Sequence, residues 1–372
     1  MAEIIDATRT VSPNEAKTRL LHAFVIKKPV FLWGPPGIGK SDIVASLAKQ
    51  LGGHMIDLRL AQMDPTDLKG LPHICPDTRK MKFSVSDELP SAELCAKYPI
   101  VILFLDEMSS APPSTQAVTY QLILDRAIGQ YKLPNNVVVV AAGNRVADKG
   151  VSYNMPSPLS NRFTHLEVRA DYDSWNDWAI AARIHPDVVG FIGYSKDSLM
   201  KFDPRSPSHA FATPRSWSTV SQLCYLENVS TAELYDLVAG TVGDGMASGF
   251  MTHRAISTTL PNPTDILSGK VTTLETTEIS AMYSLIITLC YELKDALTKH
   301  TNEDKMDLWH AKMDFYIAYM MANFKEELIV MGVRLALTTY KLPLNPAKLK
   351  NFAAFNAKYK RFVLAANGVN PA

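Results

Sequence analysis

One stretch near the start of the chain has the residue types and spacing to bind phosphate groups. It consists of Gly34, Pro35, Pro36, Gly37, Ile38, Gly39, Lys40 and Ser41, which satisfy the pattern G-x-x-x-x-G-K-[ST]. The glycines let the backbone curl until its N–H groups face a phosphate, and the helix that follows adds a favourable dipole. Lys40 would neutralise β- and γ-phosphate oxygens, while Ser41 would offer its hydroxyl to Mg²⁺. The stretch therefore predicts a site for ATP and Mg²⁺.

Two adjacent carboxylates, Asp106 and Glu107, close the apolar run IVILFL. They are expected at the carboxyl end of a buried strand, which is where open α/β sheets bind their ligands. Asp106 is predicted to hold Mg²⁺, and Glu107 to orient and deprotonate the water that attacks the terminal phosphate. As an isolated dipeptide the pair would be a solvated turn, but its position after six apolar residues favours catalysis.

Three single polar residues are further candidates. Asn144 follows the apolar run VVVVAAG, and an amide at that strand end can hydrogen-bond both the attacking water and a γ-phosphate oxygen. The alternative for Asn144 is a turn-forming asparagine beside glycine. Arg162 in SNRF and Arg215 in ATPRSW are, taken alone, surface charges.

The elements that must position these residues alternate between β-branched runs and helical periodicity. Strands are predicted at 29–33, 54–60, 99–105, 136–142 and 164–168, with helices at 40–51 and 113–126. This alternation predicts an α/β domain with a mostly parallel sheet that is buried on both faces. Residues 65–90 are rich in proline and charge, and MKFSVS within them alternates like a strand, so an inserted hairpin is expected there.

The rest of the chain reads as helical. Apolar positions become helical from about residue 175 to 251, with a helix starting near Arg215. Two amphipathic stripes follow, which predict packing rather than cofactor binding. The first stripe comprises Ile279, Met282, Tyr283, Ile286, Cys290, Leu293 and Leu297, and the second comprises Trp309, Met313, Tyr316, Met320 and Phe324.

Composition narrows the classes of function. The 372 residues carry a formal charge of +1, which gives no global attraction to nucleic acid or to an anionic membrane. Four cysteines are scattered without CxxC spacing, which favours reduced thiols in the cytoplasm. No apolar run approaches the roughly 18 residues of a membrane span, so no membrane partner is expected. His73 and Cys75 lack a second ligand pair and predict no metal site.

Taken together, these residues resemble the MoxR branch of AAA+ ATPases. The segment Ala111 to Ala117 matches the family's A-P-P-x-T-Q-A, DPTDLKGLP matches its D-P-x-D-L-x-G, and KFSVSDELP resembles its returning hairpin. The resemblance covers roughly residues 15–270. It implies an AAA+ P-loop nucleotide domain at 1–170 with a hairpin insertion at about 65–90. A helical lid at 171–260 and a helical C-terminal region at 261–372 would follow.

The resemblance also implies roles and partners. Arg162 resembles the arginine finger that reaches a neighbouring subunit's nucleotide, and Arg215 resembles the lid arginine that senses the γ-phosphate. Such a finger implies a homo-oligomeric ring, expected to be a hexamer. The resemblance further implies chaperone-like remodelling of proteins or insertion of metal cofactors, with a von Willebrand factor A-type protein as partner. Two departures bear on subunit contacts: Ser109-Ser110 replaces the family's Asn-Arg, and Ser160-Asn161 replaces its Leu-Asp.

Other classes of function stay open at the level of sequence. A nucleic-acid translocase or helicase-like motor could use the same ATP-hydrolysing domain. Its phosphate contacts would be Lys69, Arg79, Lys80 and Lys82, although these residues equally fit a solvent-exposed surface. A nucleotide-gated scaffold without turnover is disfavoured, because it has no need of Glu107. A GTPase is disfavoured because no N-K-x-D guanine motif is present.

Overall fold

A computed structural model describes residues 10–148, 153, 155–257, 259–276, 278–299 and 303–366. The first nine residues lie outside this range. The chain forms two compact units: one holds the residues up to Asp171 together with Phe202–Pro207, and the other holds Tyr172–Lys201 and the residues from Ser208 onward. Among the described helices, none is long and apolar enough to cross a membrane.

The first unit is built on a six-stranded sheet whose paired strands all run parallel, as predicted. The strand order is β1-β10-β2-β9-β6-β3. The strands are β1 (Thr10–Val11), β2 (Val30–Trp33), β3 (His54–Arg59), β6 (Val101–Asp106), β9 (Val137–Gly143) and β10 (Thr164–Val168). All five predicted strands are present, while β1 has only two residues and was not predicted.

Apolar residues cover both faces of this sheet, which explains why its strands read as continuous apolar runs. Alternate side chains enter different cores because successive residues of a strand point to opposite faces. Phe31, Leu103 and Leu105 belong to one core, whereas Leu32 and Phe104 belong to the other. This double burial fixes the register of the central strands, and with it the position of every residue at their carboxyl ends.

Six described helices flank or connect the strands of the first unit. They are Pro13–Val25, Lys40–Gln50, Pro65–Lys69, Ala92–Ala96, Pro113–Asp125 and Ser157–Ser160. Pro113–Asp125 carries the A-P-P-x-T-Q-A motif, and two motif side chains are buried and hydrogen-bonded. The Thr115 hydroxyl donates to the Met63 carbonyl at 2.9 Å, and the Gln116 amide donates to the Ala111 carbonyl at 3.0 Å. The motif thus anchors this helix to the segment that precedes the insertion.

Two short antiparallel hairpins complete the first unit. The insertion hairpin pairs β4 (Pro72–Ile74) with β5 (Met81–Phe83). A second hairpin, which was not predicted, pairs β7 (Ala127–Ile128) with β8 (Tyr131–Lys132). At the base of the insertion hairpin Gly70 has φ +83°, and a Cβ there would lie 1.5 Å from the Ser84 carbonyl oxygen. Only glycine fits this crossing of two backbones.

The second unit is helical, as the sequence predicts. Its longer helices are Tyr172–Ala181, Pro186–Tyr194, Pro214–Cys224, Thr231–Val242, Asp244–Ser257, Ile279–Lys299, Glu303–Asn323, Glu326–Arg334 and Phe352–Ala366, and a short helix spans Pro263–Leu267. Within the two predicted amphipathic stripes, the side chains of Cys290 and Trp309 are fully buried. Ile279, the first residue of its helix, is 64% exposed. The boundary between lid and C-terminal region stays a prediction.

Candidate nucleotide site

The phosphate-binding stretch forms the turn between β2 and the helix Lys40–Gln50. Gly37 has φ +76° and Gly39 has φ +91°, conformations that L side chains rarely adopt. Gly39 is the N-cap of the helix, so Lys40 and Ser41 occupy its first turn. Unpaired N–H groups of a helix's first turn and its dipole favour an anion at this position. The local geometry is therefore that of a phosphate cradle.

The Lys40 ammonium group is held at this turn by three oxygen atoms. Its Nζ donates to the Gly34 carbonyl at 2.8 Å, to the Pro35 carbonyl at 3.3 Å and to Asn144 Oδ1 at 2.8 Å. The last contact joins residues 104 positions apart in sequence. The structure thus brings the predicted polar sensor into direct contact with the predicted phosphate-binding lysine, because β2 and β9 are neighbours in the sheet.

Ser41 and Asp106 also meet, as expected of residues that share one metal ion. The Ser41 hydroxyl donates to Asp106 Oδ2 at 3.3 Å, and both side chains are half-buried. A hydroxyl and a carboxylate are hard oxygen ligands of the kind that Mg²⁺ prefers, and Mg²⁺ usually takes its remaining ligands from phosphates and water. Accordingly, the described residues contain no cluster of three or more His, Cys, Asp or Glu suited to a metal ion. The pair fits Mg²⁺ bound together with a triphosphate.

Glu107 turns away from the strand that precedes it. Its φ of +54° and ψ of 28° lie in the left-handed region, which is uncommon for a residue with a side chain. Its N–H donates to Asp106 Oδ1 at 2.8 Å, and its side chain is exposed. Strained backbone of this kind costs about 1–3 kcal/mol and persists where the surrounding structure enforces it. The turn separates the two carboxyl groups, so Asp106 faces Ser41 while Glu107 is accessible to solvent.

Asp57 adds a third carboxyl group to this edge, which the sequence analysis did not single out. Burial, followed by the negative charge of Asp106, raises the pKa of Asp57. It lies on β3, whose residues pair with β6 up to the register Arg59↔Asp106. Within the sequence HMIDLR this aspartate reads as an ordinary polar strand residue, so only the pairing of the strands reveals its proximity.

Ser109 is a second positioning residue that sequence analysis did not identify as such. Its hydroxyl accepts a hydrogen bond from the Asn144 N–H at 3.1 Å. A Cβ on Gly143 would lie 2.5 Å from the same hydroxyl oxygen, so glycine is required for this close approach. Ser109 thus packs against residues of its own chain and fixes the backbone of Asn144.

Arg145, next to the sensor, forms an ion-pair network that links β9 to β10. Its guanidinium lies 3.1 Å from Asp148 Oδ1 and 2.5 Å from Glu167 Oε1. Burial by itself would lower the pKa of Arg145, but the hydrogen bonds to Asp148 and Glu167 have the larger combined effect and raise this pKa. This arginine therefore stabilises the edge of the site instead of facing a ligand.

The two predicted arginines belong to different parts of the chain, Arg162 to the sheet unit and Arg215 to the helical unit. Arg162 follows the helix Ser157–Ser160, is half-buried, and donates a hydrogen bond to the Pro158 carbonyl. Arg215 is exposed at the second position of the helix Pro214–Cys224 and belongs to the helical unit. The structure of the sheet unit alone thus joins Lys40, Ser41, Asp106 and Asn144, but neither arginine.

One family model and several solved structures are similar to parts of this chain. Residues 30–168 match the family model described as ATPase family associated with various cellular activities (AAA). Among solved structures, the RuvB Holliday junction branch migration motor of Thermotoga maritima is 15% identical, with 66% of this chain and 74% of that chain covered and a TM-score of 0.36. NtrX of Brucella abortus in complex with ADP is 12% identical, with 97% and 71% covered and a TM-score of 0.37.

The matched residues run from the first residue of β2 to the last residue of β10. They include the phosphate cradle, the acidic pair and the sensor asparagine, each at the carboxyl end of a strand or in the helical turn beside it. The parallel sheet, the phosphate-binding turn and this match show that residues 30–168 have the fold of an AAA+ P-loop domain.

Proposed function

We propose that the chain is a Mg²⁺-dependent ATPase of the MoxR type, which works as a subunit of a ring and remodels protein partners. The observation that carries this proposal is the convergence of Lys40, Asn144, Ser41 and Asp106 at one edge of the sheet. A turn that only connected a strand to a helix would need neither a lysine aimed at a distant asparagine nor a hydroxyl paired with a strand-end carboxylate.

The proposed division of labour follows from these positions. The N–H groups of the loop and Lys40 bind the phosphates, and Ser41 with Asp106 holds Mg²⁺. Glu107 accepts a proton from water while the water oxygen bonds to the γ-phosphorus and the bond to the β,γ-bridging oxygen breaks. Asn144 orients the water and the γ-phosphate. Arg215 would sense that phosphate, and Arg162 of a neighbour would stabilise the developing charge.

The domain limits taken from the resemblance form part of the proposal. Residues 1–170 would be the nucleotide domain, 171–260 the lid and 261–372 an appended helical region. Hydrolysis would move the lid relative to the nucleotide domain and shift the insertion hairpin. A von Willebrand factor A-type protein is the expected partner class, and stimulation of turnover by such a protein is the measurement that tests it.

A nucleic-acid motor is the second candidate; the basic tip of the insertion hairpin would suit it, but the acidic groove at the base of the hairpin argues against it. Lys69, one of its four candidate phosphate contacts, lies with its ammonium 4.4 Å from the centre of the Phe83 ring. The neighbouring cavity is lined by four carboxylates and one guanidinium. A groove of that charge repels phosphodiesters. Turnover stimulated by DNA and lost steeply with salt would support the motor; stimulation by protein alone would support remodelling.

The decisive experiment compares Glu107→Gln with Glu93→Gln, an exposed glutamate on the short helix Ala92–Ala96. Glu107→Gln should lower ATP turnover by about 10²–10⁴-fold because it removes the general base, while Mg-ATP affinity stays close to that of the wild type. Glu93→Gln should change neither quantity. Chelation of Mg²⁺ should abolish turnover in all three proteins. Wild-type turnover by Glu107→Gln would contradict the assignment.

A further inference from the structure

A groove of strongly acidic character lies at the base of the insertion hairpin, and one of its lining residues, Asp57, also adjoins the nucleotide site. It has a volume of about 840 Å³ and is lined by the carboxyl groups of Asp57, Asp67, Asp87 and Glu88 and by a single cation, Arg59. Its apolar lining includes Leu71, which is 66% exposed, and Val85, which is 56% exposed. A surface that combines exposed apolar side chains with one sign of charge is typical of a protein-binding site.

The tip of the same hairpin has the complementary character. Between Cys75 and Lys82 it carries Arg79, Lys80 and Lys82 against one carboxyl group, Asp77. Arg79 and Lys80 are exposed. The two residues that flank the tip turn, Ile74 and Met81, are 72% and 65% exposed. The tip therefore presents cations beside apolar side chains, as the groove presents anions beside apolar side chains.

The hairpin cannot place its own tip in its own groove. Three register pairs, from Pro72↔Phe83 to Ile74↔Met81, separate the tip from the base, where the Ser84 N–H donates to the Leu71 carbonyl at 2.9 Å. At about 3.3 Å per residue, three pairs hold the tip about 10 Å from the groove. The backbone crossing at Gly70 further fixes the base. A complementary tip must therefore come from a second molecule.

We propose that the basic hairpin tip of one subunit docks in the acidic groove of a second copy of the chain. The contact is heterologous, since tip and groove are different surfaces, and such contacts build rings when the rotation between neighbours closes. The inference rests on the proposed ring and adds to it a specific intersubunit contact that does not involve Arg162. The contact would couple the insertion hairpins of neighbouring subunits to one another.

Charge reversal tests this contact by sedimentation velocity with Mg²⁺ and ATP. The tip variant is Arg79→Glu/Lys80→Glu and the groove variant is Asp87→Lys/Glu88→Lys. Each alone should weaken self-association by about 10- to 100-fold, because like charges then face each other. The quadruple variant, and a mixture of the two double variants, should restore association to within a few-fold of the wild type. Raising the salt concentration should weaken wild-type association.

Controls separate this contact from folding and from the ring itself. Lys97→Glu/Lys132→Glu, two exposed lysines of the same unit, should leave association unchanged. Mg-ATP affinity should be unchanged in all variants, which shows that they are folded. If either double variant associates as strongly as the wild type, or if the quadruple variant does not regain association, the proposed contact is overturned but the proposed ring is not. A groove variant that associates normally but loses affinity for a basic peptide assigns the groove to another protein. A wild-type chain that stays monomeric overturns both this contact and the proposed ring.

Discussion

At the scale of single residues, the site depends on side chains whose partners are far away in sequence. Lys40 and Asn144 meet because β2 and β9 are adjacent, and Ser41 and Asp106 meet because the helix Lys40–Gln50 packs against β6. Each of these polar groups would be costly to bury without a partner. The contacts therefore define the site's geometry and also stabilise it.

Lys40→Ala is expected to weaken ATP binding strongly. The substitution removes a cation from the phosphate cradle, and hydrogen bonds to charged groups contribute about 1.5–3 kcal/mol each, which corresponds to about 10- to 150-fold in Kd. Titration with a fluorescent ATP analogue measures the effect. Lys49→Ala, an exposed lysine in the last turn of the same helix, is the matched control and should bind normally. Equal ATP affinity of the two variants would show that Lys40 does not bind the phosphates.

At the scale of elements, the insertion hairpin depends on one glycine. Gly70 combines φ +83° and ψ 175° with a backbone carbonyl of Ser84 that leaves no room for a Cβ. Conformations in this region are essentially restricted to glycine. The base of the hairpin is thus fixed by the close approach of two backbone segments more than by side-chain packing, because the neighbouring side chains of Leu71 and Val85 are exposed.

Gly70→Ala is expected to loosen the insertion hairpin while the nucleotide site stays intact. Backbone strain alone costs about 1–3 kcal/mol, and the clash with Ser84 adds to it. Protease cleavage between residues 75 and 80 should accelerate, and Mg-ATP affinity should persist. Gly129→Ala is the control, because Gly129 also has a positive φ of +57° but open space around its Cβ position. Equal cleavage of the two variants would show that the backbone crossing at Gly70 does not hold the hairpin.

The elements also show what a sequence can and cannot predict. The runs that precede Lys40 and Asp106 were assigned correctly because a strand buried on both faces must be continuously apolar. β1 and the hairpin β7–β8 were missed, since two-residue strands show no periodicity. The groups around Asp57 depend on strand pairing that no local pattern encodes.

At the scale of the whole molecule, the helical unit contains buried and half-buried histidines whose protonation affects its stability. The helical unit buries His253 at the junction of several helices, with neither ring nitrogen hydrogen-bonded within the described structure. Burial lowers the pKa of His253 and of His185 below the ordinary value of 6.5, although Asp187 opposes the shift for both. The folded unit therefore binds fewer protons than the unfolded chain near pH 6.

The stability of the helical unit is consequently expected to fall in acid. The contribution of these histidines is present above pH 6.5, their ordinary pKa, and is lost as the pH falls through their lowered folded-state pKa values. His253→Phe should flatten the dependence of the unfolding free energy on pH by up to about 1.4 kcal/mol per pH unit. Urea unfolding at pH 7.5 and pH 5.0 measures it. Parallel profiles for the variant and the wild type would contradict a titrating His253.

Ring assembly makes a prediction of its own. Arg162→Ala and Lys40→Ala subunits should each be inactive, since a finger arginine contributes about 10³–10⁵ to turnover. Mixed together they should regain activity, because random pairing places an intact finger beside an intact cradle at roughly a quarter of the junctions. A mixture of Arg19→Ala with Lys40→Ala subunits controls for dilution. Absence of any gain from the Arg162 and Lys40 mixture would falsify the action of Arg162 across a junction.

The hydrogen bond between Ser109 and Asn144 has a consequence for communication within the subunit. Ser109 lies two residues beyond Glu107, and its carbonyl also accepts the Tyr153 N–H at 2.7 Å. A rotation of the peptide after Glu107 would therefore reach the backbone of Asn144 through one side chain, the hydroxyl of Ser109. With Glu107 proposed as the general base and Asn144 proposed to orient the γ-phosphate, this hydrogen bond would couple the two residues, so we expect their responses to hydrolysis to be simultaneous.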